Sequence, residues 1–159
     1  MYIFVMTTST AQATAPTVKH LRQLADYFRA RSGPLYATPE VSEAEALADR
    51  NMMHQVGLLA IQARSHGWLP DAPWLVEMVD YHSQTSENGH VAPGRAVYDR
   101  CPVNLFVDLV NCIHTMLYPQ FPLSNIDAGS PVYFLSQAAA CEILAMWIET
   151  KPTLPSLQQ

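Results

Sequence analysis

Residues Pro131 to Thr150 read PVYFLSQAAACEILAMWIET. Only Glu142 and Glu149 carry charge in this stretch. Ser130-Pro131 ahead of it is a helix-start signal, because proline at the first helical position lacks an N–H that would have no partner there anyway. The run approaches the length of a membrane span. Ser136, Gln137 and Glu142 interrupt it, however, and a carboxylate near mid-span costs about 2.5–3.5 kcal/mol on insertion. A buried helix is the better reading. Ala138, Ala139, Cys141 and Ala145 are small and let neighbouring helices come close. The expected fold is all-α: a compact single-domain bundle of about five helices around this buried C-terminal helix.

Working outward, Pro102 to Tyr118 forms a second apolar helix. Asn104, Asp108, Asn111 and Thr115 recur at i, i+4, i+7 and i+11, one narrow polar line on an otherwise apolar cylinder. Pro119 and Pro122 end it. Nearer the N-terminus, Val18, Leu21, Leu24, Ala25 and Phe28 fall at helical spacing, giving a helix from about Pro16 to Arg31 that Ser32-Gly33-Pro34 stops. Arg22 and Asp26, four apart, can pair on its wet side. Ser42-Glu43-Ala44-Glu45 fits a capping box for a helix running to His66 and ending at Gly67. Met52, Val56, Leu59 and Ala63 stripe one side of it. Leu58 and Ile61 point the other way, so this helix is apolar on two sides. It is either sandwiched between neighbours or offers Leu58 and Ile61 to a partner. Asp71 is placed to cap a short helix whose inward stripe is Leu75, Met78, Val79 and His82, with Glu77, Asp80 and Gln84 outward.

The domain reading is therefore a flexible leader over 1–15, a helical domain over 16–150 and a tail over 151–159. MYIFVM has no basic region and too short an apolar run for a secretory signal; it reads as a leader, or as residues ahead of an initiator at Met6.

Composition narrows the function. At 159 residues the chain fits one domain with a real core. Charged residues are 14%, low against about 25% for soluble domains, so either much of the chain is buried or part of the surface is apolar because a partner covers it. Net charge is −5 and lysine occurs only at Lys19 and Lys151. Nucleic acid is not an expected partner, since phosphates must be neutralised by Lys and Arg. The one basic cluster, Lys19, His20, Arg22, Arg29 and Arg31, reads as a solvated helix face. Three cysteines, Cys101, Cys112 and Cys141, argue against a disulfide scaffold and for a reducing, cytoplasmic setting.

Catalytic motifs are missing from the sequence. There is no Gly-x-Ser-x-Gly, no Gly-rich phosphate loop, no Cys-x-x-Cys and no His-Glu-x-x-His. No metal and no cofactor is expected. Of the six histidines, His114 lies on an apolar line of its helix and is expected as a core histidine bonded to a carbonyl or carboxylate. Glu142, on the most buried helix, needs water or an arginine.

The expectation is a small non-enzymatic interaction protein, an inhibitor, immunity or regulatory factor, that binds another protein and also self-associates. A mobile-element accessory role suits so short a helical chain. Contact candidates are Leu58, Ile61, His54, Arg95, Tyr98 and Phe121. Trp68 and Trp74, which bracket a tight turn, add recognition chemistry. The competing expectation is an enzyme or ligand-binding domain with a pocket between the third and fourth helices, built from His82, His90, His114 and Asp80.

Overall fold

The computed structural model describes residues 2–33, 41–83, 101–125 and 130–150, with the side chains of 2–13 and 125 outside the description. Five α-helices appear among these residues: α1 Tyr2–Ser32, α2 Glu43–Ser65, α3 Pro73–Ser83, α4 Pro102–Leu117 and α5 Pro131–Thr150, with a short 3-10 turn at Leu123–Asn125 between the last two. No strand occurs among the described residues. The all-α bundle is as expected. α5 is its axis. It packs along α1 and against α4, α2 lies along α4, and α3 closes one side against α2 and α4.

α5 has the length and composition of a membrane span, but 67% of its most apolar window is buried against the other helices, the arrangement of a core helix. Cys141, Leu144, Ala145 and Ile148 are at most 1% exposed. Each large side chain removed from water in this way contributes about 1.5–3 kcal/mol. Burial on nearly all sides explains why α5 is uniformly apolar rather than two-faced.

Glu142 finds the arginines its position required: Arg29 at 3.2 Å and Arg22 at 3.8 Å. Arg22 also clamps Glu149 through two nitrogens, at 3.0 and 3.2 Å. Their hydrogen bond holds the exposed Glu149 carboxyl below the usual carboxylate range. These bridges run between α1 and α5 and replace the expected Arg22–Asp26 pair; Asp26 pairs with Arg29 instead, at 2.7 Å. Arg22 faces α5, where two carboxylates lie within reach, so a cross-helix partner displaces the local one.

Other boundaries need correction. α1 begins at Tyr2, not near Pro16, so the stretch read as a leader has helical backbone and Pro16 sits inside the helix. An interior proline removes one backbone donor but does not forbid the turn before it from being helical. At the start of α3 the carbonyl of Ala72, just ahead of Pro73, accepts from Leu75 and Val76.

α2 follows the sequence closely. Ser42 accepts from the Glu45 N–H at 3.1 Å, and Glu45 accepts from the Ser42 N–H at 3.3 Å, a complete capping box. The chain leaves through Gly67 at φ +72°, a left-handed turn in which glycine has no side chain to strain. The buried stripe of α2 is Val56, Gly57, Ala60 and Ala63. Met52 and Leu59, expected inside, are only partly buried against the core. The small residues Gly57 and Ala60 bring α2 close to α4, which shifts the contact line round the helix.

Candidate functional site

The histidine pocket has no common centre among the described residues. His82 is 4% exposed and its Nε2 lies 2.7 Å from Asp108 Oδ2. This is the geometry of an acid–base pair, but the other ring nitrogen, Nδ1, is sealed from solvent and has no partner among the described residues. The pair fastens α3 to α4.

His114 is 1% exposed and turned elsewhere: Nδ1 is 2.6 Å from Ser136 Oγ and Nε2 is 2.6 Å from the Phe121 carbonyl. A carbonyl only accepts, so Nε2 carries hydrogen and donates to Phe121, while the Ser136 hydroxyl, beside Nδ1, also reaches the Val132 carbonyl at 3.1 Å. His114 is thus the core histidine that its position implied, tying the α4–α5 connection to both helices. Asp80 pairs with Arg64, through oxygens at 3.2 and 3.3 Å. His90 lies outside the described residues. No group of three His, Cys, Asp or Glu residues is placed to hold a metal ion among the described residues.

The contact candidates divide. Leu58 is 47% exposed and His54 is exposed, whereas Ile61 is half-buried and packed against the core. The expected Leu58/Ile61 patch is therefore split: Leu58 is open and Ile61 packs on the core. Phe121 is half-buried, with its carbonyl held by His114. Arg95 and Tyr98 lie outside the described residues. The basic cluster of α1 is matched by acids: Arg22, Arg29 and Arg31 each sit in ion pairs, leaving no open basic field there.

Two features escaped the sequence reading. One is a buried ionic knot. Asp49 accepts hydrogen bonds from Tyr27 Oη at 2.7 Å and from Arg31 Nε and Nη2 at 2.8 and 2.7 Å. Arg31 also reaches Glu45 at 3.0 Å and lies over the Phe134 ring, 5.0 Å from its centre. Burial would raise the Asp49 carboxyl, but the hydrogen bonds from Arg31 and Tyr27 outweigh it and hold Asp49 below the usual range. The same burial and the bond to Asp49 push the Tyr27 phenol up to about 12.

The other is an aromatic face. Trp74, at the start of α3, is 48% exposed and meets half-buried Trp147 of α5 edge-on, ring centres 6.2 Å apart. Met146, next to Trp147, is 49% exposed. Trp68, by contrast, is 6% exposed and stacks on His66. The partial exposure of Trp147 had no signal in the sequence, because the two charges of α5, Glu142 and Glu149, lie on another side of the helix.

The cysteines separate by environment. No disulfide joins them; Cys112 is exposed and Cys141 is fully buried, with its thiol pushed up by that burial. Brief alkylation of the native protein at neutral pH is expected to label Cys112 and spare Cys141, because only a reachable thiolate reacts. Mass spectrometry of peptides checks this, and equal labelling of both would contradict the packing of α5.

No protein-family model, curated protein or solved structure matches the chain.

Proposed function

We propose that the chain acts by binding another protein, as a cytoplasmic inhibitor, immunity or regulatory factor, and that the Trp74–Trp147 face is where the partner sits. The observation that carries this reading is a tryptophan pair left half open to solvent. Singly exposed apolar residues are ordinary. A large aromatic braced by a second one has the make-up of an interface centre, where Trp is enriched and where a few anchors carry most of the binding energy. The low charged share, 14%, agrees with a surface that is partly covered in use. The fitting partner offers an apolar pocket for the Trp74 ring.

A photo-crosslinking amino acid at position 74, expressed in the native host, tests this, with the same group at exposed Gln62 as control. One discrete adduct is expected at 74 and absent at 62. An adduct of twice the chain mass would make the partner a second copy. No product at 74 beyond that at 62 would end the reading.

A further inference from the structure

The outward side of α2 carries Leu47, Asn51, His54 and Leu58 at intervals of four, three and four. That spacing sets them on one line of a helix, the seam used by paired helices. Leu47 is 62% and Leu58 47% exposed, and Asn51 and His54 are exposed between them. Neither polar side chain has a hydrogen bond among the described residues. Gln55, beside them, is already engaged with His20 of α1 at 3.0 Å.

The order Leu, Asn, His, Leu has apolar ends and a polar middle in both directions. A second copy laid antiparallel, with a two-fold axis between Asn51 and His54, matches it throughout. Each Leu47 meets Leu58 of the second copy, and each Asn51 meets its His54. Amide and imidazole each carry a donor and an acceptor, so this middle layer is satisfied in either ring tautomer. Two-fold contacts need this kind of self-complementarity, in which residue i meets j and j meets i. A purely apolar partner would desolvate both polar groups and leave them unpaired.

Charge agrees with this occupant. Glu43 and Arg50 are the charged residues on this side of α2, and both are exposed. They cancel, so two copies of a chain of net charge −5 meet here without local repulsion.

We propose that this side of α2 is a self-association surface that joins two copies of the chain with their α2 helices antiparallel. It shares no residue with the Trp74–Trp147 face, which stays open in the dimer. One helix face is small among interfaces, so the association is weak. The chain is therefore monomeric at the low concentrations of crosslinking and melting experiments.

Sedimentation equilibrium of the full chain tests this, with two double variants at these exposed positions. The wild type is expected to pass from monomer to dimer between about 10 μM and 1 mM. Leu47→Glu/Leu58→Glu sets like charges opposite one another in either orientation and is expected to weaken the dimer about tenfold or more. Leu47→Glu/Leu58→Lys sets opposite charges together only when the helices run antiparallel. It is expected to self-associate about tenfold more tightly than the double-glutamate variant. Circular dichroism matching the wild type keeps folding out of the comparison. A wild type that stays monomeric up to about 1 mM would overturn the proposal. So would a double-glutamate variant that dimerises like the wild type, or a Glu/Lys variant no tighter than the double-glutamate one.

Discussion

Gly57→Ala is expected to lower the melting temperature by roughly 10 °C, corresponding to about 3 kcal/mol, the upper end of the cost of forcing extra volume into a packed core. Gly57 faces the first turn of α4. A Cβ added there would lie 2.7 Å from Pro102 Cα and closer still to its carbonyl group. Backbone cannot swing aside as a side-chain tip can, so α2 and α4 must separate along the line where Val56, Ala60 and Ala63 are buried. The usual gain from replacing helical glycine by alanine, about 1 kcal/mol of propensity, is overwhelmed. Leu58→Ala, one residue on and 47% exposed, is the matched control and is expected to change the midpoint little. Thermal denaturation followed by circular dichroism decides it. A Gly57→Ala protein that melts with the wild type would show that α2 and α4 are not in this contact.

The second large effect concerns Arg31. Removing its side chain in Arg31→Ala leaves the Asp49 carboxylate, 11% exposed, with Tyr27 as its remaining partner. An uncompensated buried charge of this kind costs about 3 kcal/mol or more. The loss also strips the guanidinium from Phe134, a contact that joins α1 to α5. Urea titration should show the midpoint falling accordingly, and Arg31→Ala combined with Asp49→Asn should recover part of the loss, because the stranded charge is gone. Failure of the double variant to exceed the single one would mean that packing, not charge, dominates.

The pH dependence follows from the same knot. Asp49 is held below its ordinary value in the folded state, so its contribution is present above the unfolded carboxylate range and is lost as pH falls through the folded value. Tyr27 is raised from 10.0 to about 12, so its contribution is complete below pH 10 and is lost as pH climbs from there toward 12. Asp49→Asn is expected to flatten the acid limb of the stability profile relative to wild type.

The aromatic face and the ionic knot show where sequence reading stops. A capping box acts within four residues, and Ser42 with Glu45 announced α2 correctly. Glu142 had to be paired, and its arginines could be named by type though not by number. Trp147 gave no warning: Glu142 and Glu149 mark one wet line on α5, and Trp147 lies away from it. Leu58 and Ile61 share one side of α2, yet one is open and the other is packed against the core. Asp49 carries no signal of its role in the sequence. Its partners Tyr27 and Arg31 are 22 and 18 residues away, and no local pattern links them.

The sequence by itself determined the helices, most of their ends, the central place of Pro131–Thr150 and the fate of His114. These follow from periodicity, capping chemistry and the cost of burying polar groups, all of which act within a few turns. Only the tertiary structure decided that Gly57 touches Pro102, that Arg31, Asp49 and Tyr27 form one knot, that Leu47 stands open on α2 and that Trp74 stands half open against Trp147. Those outcomes depend on which helix covers which face. That is a property of the assembled bundle, set by the close approach of α2 to α4 and of α1 to α5, and not of any one segment.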